Sequence, residues 1–165
     1  MMNGKKYKGE REDMKWIPQD AEMFLRAREY VDTVIMPLIG IAFQGHVKQS
    51  ASINDYITIL SRQVEQQFKG RVLLLPPLTY CNDWLKEDRL DILLKWKNSL
   101  EEQFAHVFFL TSDVDWKTIE TELGKGLLWT TPIPLEHLEE KYKQSMMEEQ
   151  VKSLLMEISQ KWKNE

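Results

Sequence analysis

The sequence predicts an α/β protein: a three-layer open parallel sheet of about four strands, flavodoxin- or Rossmann-like, followed by a long C-terminal helix. Two observations carry that prediction. Apolar residues alternate along the chain between helical spacing and short β-branched or continuously apolar runs. Each gap between successive runs is long enough for a helical crossover, which parallel strands require and antiparallel hairpins do not. Crossovers are nearly always right-handed, so few topologies remain, and the expected strand order is 2-1-3-4.

The elements follow in order. Pro18 fits a first helical turn and is followed by acidic Asp20 and Glu22; with Ala21, Phe24, Leu25 and Arg28 it places a helix over 18–29. The β-branched run 33–36 reads as a strand stopped by Pro37. Residues 38–49, with Gly40, Gly45 and His46, read as a loop. Ser52 and Asp55 resemble a capping box, and Ile53, Tyr56, Ile57, Leu60, Val64 and Phe68 hold helical spacing up to Gly70. The run 71–75 is apolar on both faces, as a central parallel strand is, and Pro76-Pro77 stop it. A helix over 86–103, a strand over 107–110, a short helix closed by Gly124 and a strand over 127–129 complete the alternation. The last helix is expected over 135–161.

Composition narrows the class of function. The 165 residues are 42% hydrophobic and 29% charged, the proportions of an ordinary globular domain, here assigned to 14–165. The net charge of −4 argues against a dedicated nucleic-acid binder, and no nucleic-acid partner is expected. No apolar run approaches the roughly 20 residues of a membrane span. With Cys81 as the single cysteine, no intrachain disulfide can form, which together with the charged start of the chain points to the cytoplasm.

Residues 1–13 are mostly charged, with Tyr7 as the one large apolar group after the first two methionines, and are expected to be a disordered tail. A second reading is a start-site artefact. Lys8-Gly9-Glu10-Arg11 can be encoded by a purine-rich ribosome-binding sequence, which would put the start at Met14 and the net charge at −5.

Three segments carry a resemblance: Trp16-Ile17-Pro18-Gln19-Asp20, Arg28-Glu29-Tyr30-Val31-Asp32-Thr33 and Ile35-Met36-Pro37-Leu38. With Leu75-Pro76-Pro77 and Phe109-Leu110-Thr111-Ser112-Asp113, the chain from Met14 onward resembles the YpiF-like family, small uncharacterised proteins of Gram-positive spore-forming bacteria. The resemblance implies a cytoplasmic bacterial protein and supports a start at Met14. It brings no catalytic residue.

Ligands of open parallel sheets bind outside the carboxyl ends of the strands. The candidate ligand rim there comprises Thr79, Tyr80, Cys81, Asp83, Thr111, Ser112, Asp113, Asp115 and Thr130, with Trp84 and Trp116 as possible aromatic walls. The alternative is that Ser112, Asp113 and Asp115 only cap the next helix, and Asn82 or Asp83 the third. No catalytic signature, cofactor or metal site is expected. The glycine fingerprints of dinucleotide and phosphate loops are absent, His46, His106 and His137 are far apart, and no acid follows the first strand. Gly124-Lys125-Gly126 reads as a helix C-cap and turn, and Cys81 as a small hydrophobe rather than a nucleophile.

The last helix carries two apolar stripes. Leu135, Leu138, Tyr142 and Met146 form one; Met147, Val151, Leu154, Leu155, Ile158 and Trp162 form the other. About 27 residues span roughly 40 Å, twice the roughly 20 Å width of four strands. Either the helix kinks near Ser145 and packs back, or it overhangs and its second stripe is a surface for a protein partner or a second copy. Two functions from different classes therefore stand: an interaction or assembly protein using that helix, and a small-molecule or nucleotide-binding protein, with or without catalysis, using the rim.

Overall fold

Strand side chains are dealt alternately to two apolar layers, and that alternation fixes the architecture. The computed structural model describes residues 14–164, so both expectations for residues 1–13 lie outside the described residues. The chain runs α1 (Pro18–Arg26), β1 (Thr33–Ile41), α2 (Val47–Gln67), β2 (Val72–Leu74), β3 (Leu78–Cys81), α3 (Lys86–Glu101), β4 (His106–Thr111), α4 (Val114–Lys117), α5 (Glu120–Leu123), β5 (Leu127–Trp129) and α6 (Glu140–Lys163). Single 3-10 turns precede β5 and α6. All pairings are parallel, in the order β2-β1-β4-β5, with β3 also paired to β1. Taking the four expected strands alone, this is the order 2-1-3-4.

Ile35 and Ile39 of β1, Phe108 and Leu110 of β4 and Val72 of β2 face α2 and α6, meeting Tyr56, Leu60, Val151, Leu154 and Ile158. Val34, Met36 and Leu38, with Phe109 and Leu73, face the other way, onto Leu90, Leu93, Leu100, Phe104 and Trp116. A period of two in the strands thus feeds two helical layers, and central strands become apolar on both sides.

Four expectations are corrected. Pro37 does not end β1, which continues to Ile41. The reason lies in the partner strand. β1 pairs with β2 in the register Thr33↔Val72 and with β3 in the register Leu38↔Leu78, so the partner slips by one residue at a bulge over Leu75-Pro76-Pro77. Ile35 O accepts from Leu75 N and Ile41 O from Asn82 N, both at 2.9 Å, so the odd residues of β1 turn their backbone groups toward β2 and β3. Pro37 is odd, and its missing N–H faces the bulge, where no ladder bond is available. Leu78–Cys81, beyond the expected strand stop at Pro76-Pro77, is consequently strand. The second helix starts at Val47 rather than near Ser52, so Ser52 caps nothing; its hydroxyl donates to Glu136 Oε2 at 2.8 Å. α3 is preceded by Leu85 without a side-chain cap, so neither Asn82 nor Asp83 serves there.

The C-terminal segment neither kinks at Ser145 nor overhangs. It breaks earlier, after a 3-10 turn at Leu135–His137, and α6 lies along α2, which is 21 residues long. Because α6 follows a neighbouring helix, the width of the sheet does not limit it. Its end is tied down by Trp162, whose indole N–H donates to Thr33 Oγ1 at 3.0 Å and whose ring packs edge-on to Phe68. Among the described residues no helix is long and apolar enough to cross a membrane.

Candidate functional site

The carboxyl ends of β1, β3 and β4 converge where α2 and α3 leave the sheet on opposite faces. On the α3 side the polar groups are committed to one another. The Tyr80 hydroxyl, on β3, donates to Asp113 Oδ2 at 2.5 Å and accepts from Trp116 Nε1 at 2.8 Å. Burial, and then the Asp113 carboxylate it faces, push the Tyr80 phenol far above its ordinary range, so it stays a donor. Arg89, only 5% exposed, pairs with Asp115 Oδ2 at 3.0 Å and lies 3.7 Å from Asp113 Oδ2. It also donates to the carbonyls of Asn82 and Trp84. Asp113 caps α4, accepting from Asp115 N at 3.0 Å, and its own N–H donates to Thr111 Oγ1 at 3.0 Å.

Between this cluster and α2 lies a cleft of about 270 Å³, lined by Leu38 and Gly40 of β1, Gln49 and Ser50 of α2, and Asn82, Ser112 and Asp113. Gly40 leaves room for the Asn82 side chain, whose oxygen a Cβ would displace. Ser50 folds the 42–46 loop back, donating to Gly40 O at 2.8 Å and accepting from Ala42 N at 3.1 Å. The start of α2 has no side-chain cap and no acid in its first turn, so its positive end is uncompensated. Ser112 is 4% exposed, and its hydroxyl has no hydrogen-bond partner among the described residues. An unpaired buried hydroxyl costs about 1–3 kcal/mol.

Of the rim residues expected from sequence, Ser112 and Asp113 line this cleft. Tyr80, Thr111 and Asp115 support it from the cluster. Thr79 is exposed on β3, Asp83 is exposed in the turn after it, and half-buried Cys81 ends β3 opposite Ile41. Thr130 belongs elsewhere: it is buried on the α2–α6 side, bonded to Tyr56 Oη at 2.8 Å and to Gln150 Oε1 at 3.1 Å. Trp116 is buried and Trp84 exposed. Gly40, Gln49, Ser50, Asn82 and Arg89 escaped sequence reasoning. The glycine one residue before the end of β1 was the available signal, hidden by ending that strand at Pro37. Neither Cys81 nor Ser112 bonds to a histidine, and no group of three or more His, Cys, Asp or Glu among the described residues could hold a metal ion.

The six residues expected as a partner surface lie inward. Met147, Val151, Leu154 and Ile158 are buried in the α2–α6 core, and Leu155 and Trp162 pack partly buried against it. Met147, Val151 and Leu155 also border an open groove of about 780 Å³ between the two helices, whose other walls carry Gln63, Gln66, Lys143 and Lys152.

A family described as "Protein of unknown function (DUF2487)" matches residues 22–162. The chain is 38% identical over 153 residues to the "Uncharacterized protein YpiF" of Bacillus subtilis (strain 168), covering 90% of this chain and 98% of that one. No solved structure matches. Neither description names an activity.

Proposed function

We propose that this chain, which belongs to the DUF2487 family, is a binding protein for a small polar ligand held in the cleft between β1, β4 and the start of α2. One observation carries the reading: the buried, unpartnered Ser112 hydroxyl on the wall of that cleft. Native proteins seldom leave such a group unpaired, and a ligand would supply the missing bond. The place agrees with a general rule, because β1 and β4 are the neighbouring strands whose crossovers diverge, the switch point of an open α/β sheet. The first-turn amides of α2, the Ser112 hydroxyl and the Asn82 carboxamide offer donors, and Asp113 offers an acceptor. A volume of about 270 Å³ suits a compact molecule rather than a dinucleotide. The reading is of binding, since among the described residues Ser112 makes no hydrogen bond to His46, the histidine that also lines the cleft.

An interaction role through α6 has less support, because the stripe that would carry it fills the core. The test is an amide NMR titration with inorganic phosphate, citrate, AMP and glucose 6-phosphate. At least one of these should shift Gly40, Gln49 and Ser112 saturably, and Ser112→Val should weaken that binding at least tenfold. Amides that remain unmoved across the whole set would overturn the reading.

A further inference from the structure

We propose a second binding site, for a free amphipathic monocarboxylate, in the apolar cleft on the α1–α3 face. Its floor is Met36 and Leu73, both buried strand residues; Leu100 and Trp96 of α3 form one wall, Phe24 of α1 the other, and Pro76-Pro77 the lip. The volume is about 430 Å³, within the range of roughly 300–1,000 Å³ of small-molecule sites, and the lining is nearly all apolar. The cleft follows from the bulge in the β2–β3 segment, where two prolines stand in place of larger strand side chains. Trp16 and Trp96 remain exposed at its edge (56% and 43%).

One fixed charge marks where a head group would sit. The Arg28 guanidinium lies 4.7 Å from the Phe24 ring centre and 5.0 Å from that of Phe104, and its Nη2 donates to Gln103 O and Oε1, each at 3.1 Å. Among the described residues no carboxylate pairs with it, and Nε and Nη1 donate to nothing. A planar cation held against two adjoining rings, whose centres are 6.0 Å apart, with donors to spare, matches a carboxylate. An apolar body attached to that carboxylate would then lie over Met36 and Leu73.

A peptide fits less well. Its backbone groups would need partners that this wall lacks. Strand addition is also blocked: Pro76 and Pro77 have no N–H to offer, and the β2 edge is already covered by a parallel bridge from Lys15 to Leu74.

The test uses sodium decanoate and decanol with the full chain, below the aggregation limit of each, followed by tryptophan fluorescence and calorimetry. Decanoate should bind saturably at one per chain and change the emission of Trp16 and Trp96. Arg28→Gln should weaken decanoate at least tenfold and leave decanol within twofold. Leu75→Trp, at the lip, should abolish both, with an unchanged circular-dichroism melt showing that the fold is intact. No saturable decanoate binding, or equal loss of decanoate and decanol in Arg28→Gln, overturns the proposal. So does binding to phosphatidylglycerol vesicles without binding of free decanoate, which would make the patch a membrane contact.

Discussion

The two ends of the sheet are built from the same parts and finished differently. At the amino end, Asp32, Arg71, Thr33 and Trp162 close on themselves. Arg71 pairs with Asp32 through two bonds of 2.9 and 3.1 Å while stacking 3.6 Å over the Trp162 ring, and the Trp162 N–H reaches Thr33, whose hydroxyl donates to Asp32 at 2.8 Å. At the carboxyl end, Asp113, Arg89, Tyr80 and Trp116 repeat the set of carboxylate, guanidinium, hydroxyl and indole. The amino-end ion pair is over a third exposed on each side, whereas Arg89 is buried. The amino end has a cleft of about 200 Å³ beside His106 and Lys161; the carboxyl end has the cleft of about 270 Å³ and, among the described residues, a buried hydroxyl with nothing to bond. A saturated network serves stability alone. A network that stops one bond short, beside open volume, has room for a ligand.

The largest test of that contrast is Arg89→Ala. It strands Asp113 and Asp115 against a buried phenol, and loss of one partner of a buried pair costs about 3–5 kcal/mol. Urea unfolding should show a loss near the lower bound, because Asp115 is part-exposed. Next comes Thr33→Val, which leaves the Trp162 N–H without an acceptor; about 2 kcal/mol is expected by the same measurement.

Arg71→Ala should cost less, about 1 kcal/mol, since exposed pairs contribute little. Its effect should depend on pH. Burial alone would raise the Asp32 carboxyl, but hydrogen bonds from Arg71 and Thr33 and the Arg71 charge outweigh it and hold it below its ordinary value. A lowered carboxyl contributes stability that is present above its unfolded pKa and is lost as pH falls through the folded one. The gap between wild type and Arg71→Ala should therefore be full at pH 7 and close below about pH 4. A gap that persists at pH 2 would assign the loss to the Trp162 stack instead.

The smallest effect is the most informative. Ser112→Ala removes a hydroxyl that bonds to nothing, so stability should stay within about 0.5 kcal/mol or rise. A loss above 1 kcal/mol would mean that the hydroxyl already has a partner, and the contrast between the two ends would collapse.

Much of the fold was legible in residues. The β-branched and apolar runs marked β1, β2, β4 and β5 because a strand buried on both faces has few other compositions. Gly124, with φ of +66°, ended the short helices as its freedom from a Cβ allows. The site was legible only in part. Ser112 and Asp113 could be placed at the rim because strand carboxyl ends are predictable, but Arg89 sits in a helix whose sequence gives no sign that one of its charges is buried. The stripe of Met147, Val151, Leu154 and Ile158 was equally legible as a pattern, yet the pattern of a buried face is the same as that of a docking face.

The sequence by itself determined the parallel α/β class and the alternation of strands and crossovers, because these rest on local periodicity; handedness left a few strand orders, and packing selected one of them. It did not determine how Pro37 could stand inside a central strand. That depended on a bulge 39 residues further on, at Pro76, which removes the same ladder bonds from the other side. Nor did it determine which apolar stripe α6 would bury, which hydroxyl would be left unpaired or which arginine would border the apolar cleft. Those are outcomes of packing, in which one side chain's partner is chosen by where distant segments come to rest.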